Sequence, residues 1–336
     1  MNNFLEPPLP KDTSNEIRKV GFELEYSGLT LQESAQLIID VTGSGSIEQI
    51  NPYHYKVLNT AFGDFSLVLD FQFLISQGLE KWLHDVGLDE VIDTEIALAL
   101  EEFVATLSET IVPYEIATPP LALDKLDTME ELKESLRNHG ALGTTANPFY
   151  AFGFHINPQV HSFDVAEIVD TLRAFFLLYD YLVELLQPDI KRRITPYIDP
   201  YEDEYIAKVL EPSYKPNIDS FIKEYLIFNP TRNRALDLLP LLAFIDAKQV
   251  FTALPDEKIS ARPTYHYRLP NSKVDESQWH TYDAWNSWVM VEELTHDKEA
   301  LKELSREYLK LMDEPLAFLL KDGWIERVKL WHKNQK

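Results

Sequence analysis

An α+β fold is what this sequence predicts: a mainly antiparallel curved sheet or partial barrel, packed by helices. Three observations predict it. Segments of strand periodicity are scattered between helical ones. Two successive extended segments, 53–61 and 64–73, meet at Gly63-Asp64, which is a hairpin signal. No Gly-rich strand–turn–helix fingerprint occurs, so neither a Rossmann nor a P-loop site is supported.

Each element has its own local reason. Residues 1–16 are polar, contain Pro7, Pro8 and Pro10, and read as an arm; residues 17–336 read as a single domain. Val20, Phe22, Leu24 and Tyr26 alternate with Gly21, Glu23 and Glu25, which predicts a strand over 18–26. Thr30 and Glu33 form a capping box that opens a helix to about Asp40. Gly43-Ser44-Gly45-Ser46 is a turn into the hairpin of extended segments. Helical patterns cover about 76–85 and 90–110. The strand from Tyr114 to Thr118 is stopped by Pro119-Pro120, because proline cannot continue a central ladder. A helix over 128–138 starts with a second box, Thr128 to Glu131, and Tyr150 to Asn157 is extended. A long helix runs from about Asp164 to Gln187. Residues 188–230, rich in proline, tyrosine and acids, read as an irregular insertion where Tyr197, Tyr201, Tyr205 and Tyr214 could select a substrate. Asp237 to Lys248 is helical with Pro240 near its start, Thr264 to Leu269 is the last strand, and three helical segments close the chain.

Composition bounds the function. Against 55 acids stand only 31 Lys and Arg, a formal charge of −24, which repels phosphate backbones and argues against a nucleic-acid partner. The absence of cysteine excludes disulfides, zinc–thiolate sites and thiol nucleophiles. The N-terminus has no signal-peptide pattern, and the most apolar helix carries Arg173, Asp180 and Glu184, which argues against a membrane span. The expected location is the cytoplasm.

Five places carry chemistry. Glu23 and Glu25 share one face of their strand, where they repel unless a cation stands between them; a divalent metal is the usual answer. Glu115 lies mid-strand before the two prolines. His155 and Asn157 share a face of Gly153-Phe154-His155-Ile156-Asn157 and could bond phosphate or carbonyl oxygens. Arg232 and Arg234 locally reverse the charge of an acidic chain and offer forked contacts to carboxylate or phosphate. His266 and Arg268 share a face of the last strand, where an unpaired inward arginine would be costly.

Taken in order, these motifs resemble the putative amidoligase family of carboxylate–amine ligases, which share the glutamine synthetase and glutamate–cysteine ligase fold. The matching stretches are Gly21 to Glu25, Glu115 to Pro120, Gly153 to Asn157 and Arg232 to Asp237. The resemblance implies an ATP-dependent ligase that makes an amide through an acyl phosphate, with Mg²⁺ or Mn²⁺. It implies that Glu23, Glu25 and Glu115 are metal ligands, that His155 and Asn157 lie by the nucleotide phosphates, and that Arg268 stabilises the transferred phosphoryl group. Arg232 and Arg234 would contact substrate carboxylate or phosphate. Relatives commonly carry a metal-binding glutamate two residues before the last arginine; His266 stands there instead. The implied partners are a small-molecule or peptide carboxylate and an amine. A guanidino-kinase-like phosphotransferase, a non-catalytic nucleotide- or metal-binding module and a metal-dependent hydrolase are the alternatives.

Overall fold

Period-two alternation in β1 (Lys19–Tyr26) organises the whole molecule. Val20, Phe22, Leu24 and Tyr26 are buried against helices, whereas Gly21, Glu23 and Glu25 face the opposite side. Each such buried side chain contributes about 1.5–3 kcal/mol. A strand divided this way needs an apolar layer on one side only, and the sheet is built so. The computed structural model describes residues 3–69, 113–147, 150–188, 198–255, 257, 259–314 and 320–335. Among them are nine strands in one sheet and ten α-helices.

After β1 come α1 (Leu31–Thr42), β2 (Ser46–Asn51), β3 (His54–Thr60), β4 (Gly63–Leu69), β5 (Tyr114–Ala117) and β6 (Leu121–Ala122). Next are α2 (Asp127–Asn138), β7 (Phe154–Pro158) and α3 (Val165–Leu186). Then follow α4 (Asp203–Leu210), α5 (Ile218–Phe228), β8 (Leu236–Asp237), α6 (Leu239–Ile245) and α7 (Ala247–Ala253). The last elements are β9 (His266–Tyr267), α8 (Thr281–His296), α9 (Lys298–Met312) and α10 (Lys321–Lys333). The strand order is β2-β3-β4-β5-β1-β7-β9-β8, with β6 paired to the start of β1, and every strand pairing is antiparallel. The expected antiparallel α+β architecture is therefore present, as an open sheet among the described residues.

Helices α1 and α2 cover one half of the apolar face; α3 and α8 cover the other, with α9 and α10 packed behind α3. Trp288 of α8 packs on Tyr265 and Tyr267, and Phe175 of α3 on Tyr267. The N-terminal arm is fastened to α8, since Trp285 Nε1 donates to Leu5 O and Leu5 N donates to Asn286 Oδ1. No helix among the described residues is long and apolar enough to cross a membrane.

Several local expectations change. Pro119-Pro120 interrupts pairing without ending it: β5 stops at Ala117, and β6 resumes beside Lys19 and Val20. The Thr118 hydroxyl fills the gap by accepting Phe22 N–H at 2.9 Å. The box at Thr30 forms in full, but the one at Thr128 does not. A 3₁₀ turn, Leu123–Lys125, feeds directly into α2, so Thr128 lies inside the helix. Glu130 caps α8 instead, accepting Thr281 N–H at 2.8 Å. Much of the region read as irregular is helical, because Tyr205 and Val209 of α4 and Phe221, Ile222 and Tyr225 of α5 form inward faces. Tyr201 and Tyr205 are buried against Phe176, which makes them anchors of the core. The helix expected from Asp237 is two short ones separated at Asp246, and Asp237 itself ends β8. The helical patterns at 76–85 and 90–110, and Tyr197, lie outside the described residues.

Candidate active site

The face opposite the helices gathers the chemistry. β1 lies between β5 and β7, so Glu25 is directly opposite Glu115 and Glu23 is directly opposite His155. β9 adds His266 beside β7, and β8 sets Asp237 opposite His266. Antiparallel register aligns side chains on the same face of neighbouring strands. Alternate residues of five short strands thus converge although they are far apart in sequence.

Glu23 is the hub. Its Oε1 accepts from Asn157 Nδ2 at 3.0 Å and from Arg262 Nη2 at 3.1 Å, and its Oε2 lies 3.2 Å from His155 Nδ1. The same imidazole reaches Glu25, with Nε2 3.7 Å from Oε1. The second oxygen of Glu25 accepts Gly153 N–H at 2.7 Å. The two acids are therefore bridged by His155 and relieved by an arginine.

Asn157 Oδ1 lies 2.6 Å from His266 Nδ1 and also accepts from Arg262 Nη2 at 2.9 Å. An amide oxygen only accepts, so Nδ1 carries the proton. The His266 Nε2 lone pair then faces Arg268 Nη1 at 3.2 Å. Burial pushes His266 well below its ordinary value, against the pull of Glu23 and with Arg268 adding to the effect, so the ring is neutral at neutral pH. Burial alone would raise the Glu23 carboxyl. The His155 hydrogen bond and the charge of Arg262 oppose it and hold Glu23 below the usual carboxylate range. With His266 neutral, the fixed positive charge on Glu23 comes from Arg262.

One atom each from Glu23, His155 and His266 lie within 4.8 Å of one another, a set able to hold a cation. Two imidazoles and one carboxylate fit an ion tolerant of nitrogen, such as Mn²⁺, better than Mg²⁺, which prefers oxygen. Glu25 and Glu115 face each other on adjoining strands of the same face, outside that set.

Of the residues expected at the site, Glu23, Glu25, Glu115, His155, Asn157, His266 and Arg268 share this face. The two arginines of the 229–235 loop part company. Arg234 is buried, and it donates to the carbonyls of Pro200 and Phe228 and lies over the Tyr201 ring at 5.2 Å. It clamps the loop to the end of α5 and is not among the side chains that meet Glu23. Arg232 is half-buried and has no hydrogen bond or ion pair among the described residues; its charge acts on Asp237. Asp237 is fully buried and accepts Leu239 N–H at 2.8 Å. Burial pushes its carboxyl up to about 7, although Leu239 and nearby arginines oppose the rise. Asp64 is held in the hairpin turn by Asn59 N–H, and Asp70 lies outside the described residues.

Arg262 was not anticipated. It precedes the last strand on a segment without regular structure, where a charged residue carries no periodic signal. Its parity with Thr264, His266 and Arg268 was the available sign, because alternate residues of an extended segment share a face. Beside it, a cavity of about 490 Å³ opens between the N-terminal arm, the start of β1 and the Thr118 kink.

The sequence matches the family described as "putative amidoligase enzyme" over residues 16–290. No curated protein and no solved structure matches it. The match contains every strand that builds the polar face, and the chain belongs to the putative amidoligase enzyme family.

Proposed function

We propose that the protein is an ATP-dependent ligase that joins a carboxylate to an amine. The observation that carries this reading is the Glu23–His155–His266 cluster, flanked by Arg262 and Arg268 on an antiparallel sheet in a chain of this family. In the proposed reaction, a substrate carboxylate oxygen attacks the γ-phosphorus of ATP, ADP leaves, and an acyl phosphate results. The amine nitrogen then attacks the acyl carbon, phosphate leaves, and the amine proton passes to a base.

Fixed charges suit such chemistry, since phosphoryl transfer is accelerated mainly by positioning and charge neutralisation. Arg268, 3.2 Å from His266 Nε2, would stabilise negative oxygens of the transferred group. Arg232, half-buried and without an ion pair among the described residues, is suited to a second anionic contact. A divalent ion held by Glu23, His155 and His266, with Glu25 and Glu115 adjoining, would supply further neutralisation of phosphoryl oxygens. Asn157 sets the His266 tautomer and supports Glu23.

The test is ADP release in Mn²⁺ or Mg²⁺ with panels of amino acids, peptides and polyamines, with products weighed by mass spectrometry. An amide formed in equal amount to ADP is expected, and Glu23→Gln should abolish it. A stable phosphorylated amine without amide would instead establish a guanidino-kinase-like reaction. ADP release undiminished in Glu23→Gln would remove Glu23 from the machinery.

A further inference from the structure

Arg262 already supplies a cation to the ligands that a metal ion would need. Its Nη2 donates to Glu23 Oε1 at 3.1 Å and to Asn157 Oδ1 at 2.9 Å, and lies 3.2 Å from His266 Nδ1. Two of the three residues able to hold an ion, Glu23 and His266, therefore have the guanidinium against them. A divalent ion on those ligands would face a positive charge a few ångströms away, where water screens little of the repulsion. The guanidinium in this pose and a bound ion are alternatives rather than neighbours.

Two observations give the guanidinium a way out. Its present pose is incompletely satisfied, because Arg262 Nε is buried without a hydrogen-bond partner among the described residues. Such a group costs free energy, and here the charge of Glu23 offsets it. The side chain is also 32% exposed, stands on a segment without regular structure, and borders the cavity of about 490 Å³. Rotation about its own bonds can carry the guanidinium into that space. The cavity offers it a second acceptor. Glu16, from the N-terminal arm, lines the cavity, is exposed, and has no ion pair among the described residues. Lys19 also lines the cavity without such a pair, so Glu16 is claimed by no described cation.

We propose that Arg262 is a built-in competitor of the metal ion. It neutralises Glu23 in the metal-free protein and turns into the cavity, towards Glu16, when Glu23, His155 and His266 take up a divalent cation. The proposal rests on the metal part of the ligase reading. It makes metal loading and release of Arg262 one event, so the Glu23 carboxylate is compensated in both states.

Mn²⁺ binding to the nucleotide-free protein, followed by electron paramagnetic resonance, tests this without turnover. Arg262→Gln keeps a donor for Glu23 but loses the charge, and should bind Mn²⁺ at least tenfold more tightly than wild type. Its metal-free thermal midpoint should fall, and Mn²⁺ should raise that midpoint by more than it raises wild type. Glu16→Gln, on the exposed arm, should weaken Mn²⁺ binding severalfold in wild type and leave Arg262→Gln unaffected. Wild type alone provides a further measure that does not depend on a variant folding. Phenylglyoxal, which modifies accessible guanidinium groups, should label Arg262 faster with Mn²⁺ than without it, as read by peptide mass spectrometry. Equal or weaker Mn²⁺ binding in folded Arg262→Gln, an equal Glu16→Gln effect in both backgrounds, or slower labelling with Mn²⁺ would overturn the proposal. Failure of both wild type and Arg262→Gln to bind Mn²⁺ would remove the metal reading and this proposal together. Tighter binding in Arg262→Gln, with no amide made by wild type, would refute the ligase reading and leave the exchange standing.

Discussion

Asn157 Oδ1 and His266 Nδ1 are 2.6 Å apart, and this single bond decides how the imidazole presents itself to the rest of the site. Because Nδ1 must donate, Nε2 is left with its lone pair towards Arg268. A second consequence follows from Asn157 Nδ2, which is engaged with Glu23, so the amide links the hub carboxylate to the neutral ring. Asn157→Leu should therefore lose more than packing. It leaves a buried imidazole N–H without its acceptor, a loss of about 1–3 kcal/mol in urea unfolding. Turnover should fall further than Asn157→Asp allows, since aspartate still accepts from Nδ1. Unchanged stability and activity in Asn157→Leu would show that the bond orders nothing.

The two loop arginines should separate cleanly into a structural and a functional group. Arg234→Ala removes two charge-assisted bonds, to the Pro200 and Phe228 carbonyls, and its contact with Tyr201, and should cost about 3 kcal/mol of stability. Arg232→Ala removes no hydrogen bond among the described residues, so stability should move by no more than about 0.5 kcal/mol while ATP turnover drops. Thermal midpoints and ADP release measured on the same samples test both statements. A destabilised Arg232→Ala with full activity would invert the assignment.

Asp237 should give the protein a pH-dependent weakness. Its carboxyl rises from 3.8 to about 7 on folding, chiefly through burial, so the folded state holds the proton more tightly than the unfolded chain. Stability from this group is present below the unfolded value and is lost as pH rises through the folded one. Asp237→Asn keeps an acceptor for Leu239 N–H and cannot ionise. Its advantage over wild type should grow across that window to roughly 4 kcal/mol near pH 8, and vanish near pH 4. Urea midpoints at several pH values would read this directly. A constant difference between the two proteins would contradict it.

Metal preference follows from ligand chemistry. With two imidazoles in the donor set, Mn²⁺ should support activity at about tenfold lower concentration than Mg²⁺. His266→Glu replaces nitrogen by oxygen and should narrow or reverse that ratio. Titrations of initial rate against each metal decide it, and direct Mn²⁺ binding by electron paramagnetic resonance provides a measure independent of catalysis. Equal response to both ions in wild type would argue against imidazole ligation.

Legibility tracked how local each signal was. The Glu23–Glu25 face, the Phe154–Ile156 face opposite His155 and Asn157, and the capping box at Thr30 all follow from backbone periods within a few residues, and the structure contains each of them. The box at Thr128 failed because its start depended on the preceding turn. The 188–230 region was misjudged because α4 and α5 are short, and their inward faces make sense only against Phe176 and its neighbours. Arg262 was missed for a related reason: its role is set by Glu23, 239 residues away in the chain.

By itself, the sequence determined which residues could share a face, because side-chain direction along a strand is a property of the backbone. It also determined the family, since the order of motifs survives without any knowledge of contacts. Only the tertiary structure decided what stands between Glu23 and Glu25. Strand order places His155 opposite Glu23 and within reach of Glu25, and a loop from the far end of the chain delivers Arg262. Charge balance in a site depends on which groups are brought within a few ångströms, and that is a matter of register and chain path rather than of residue type.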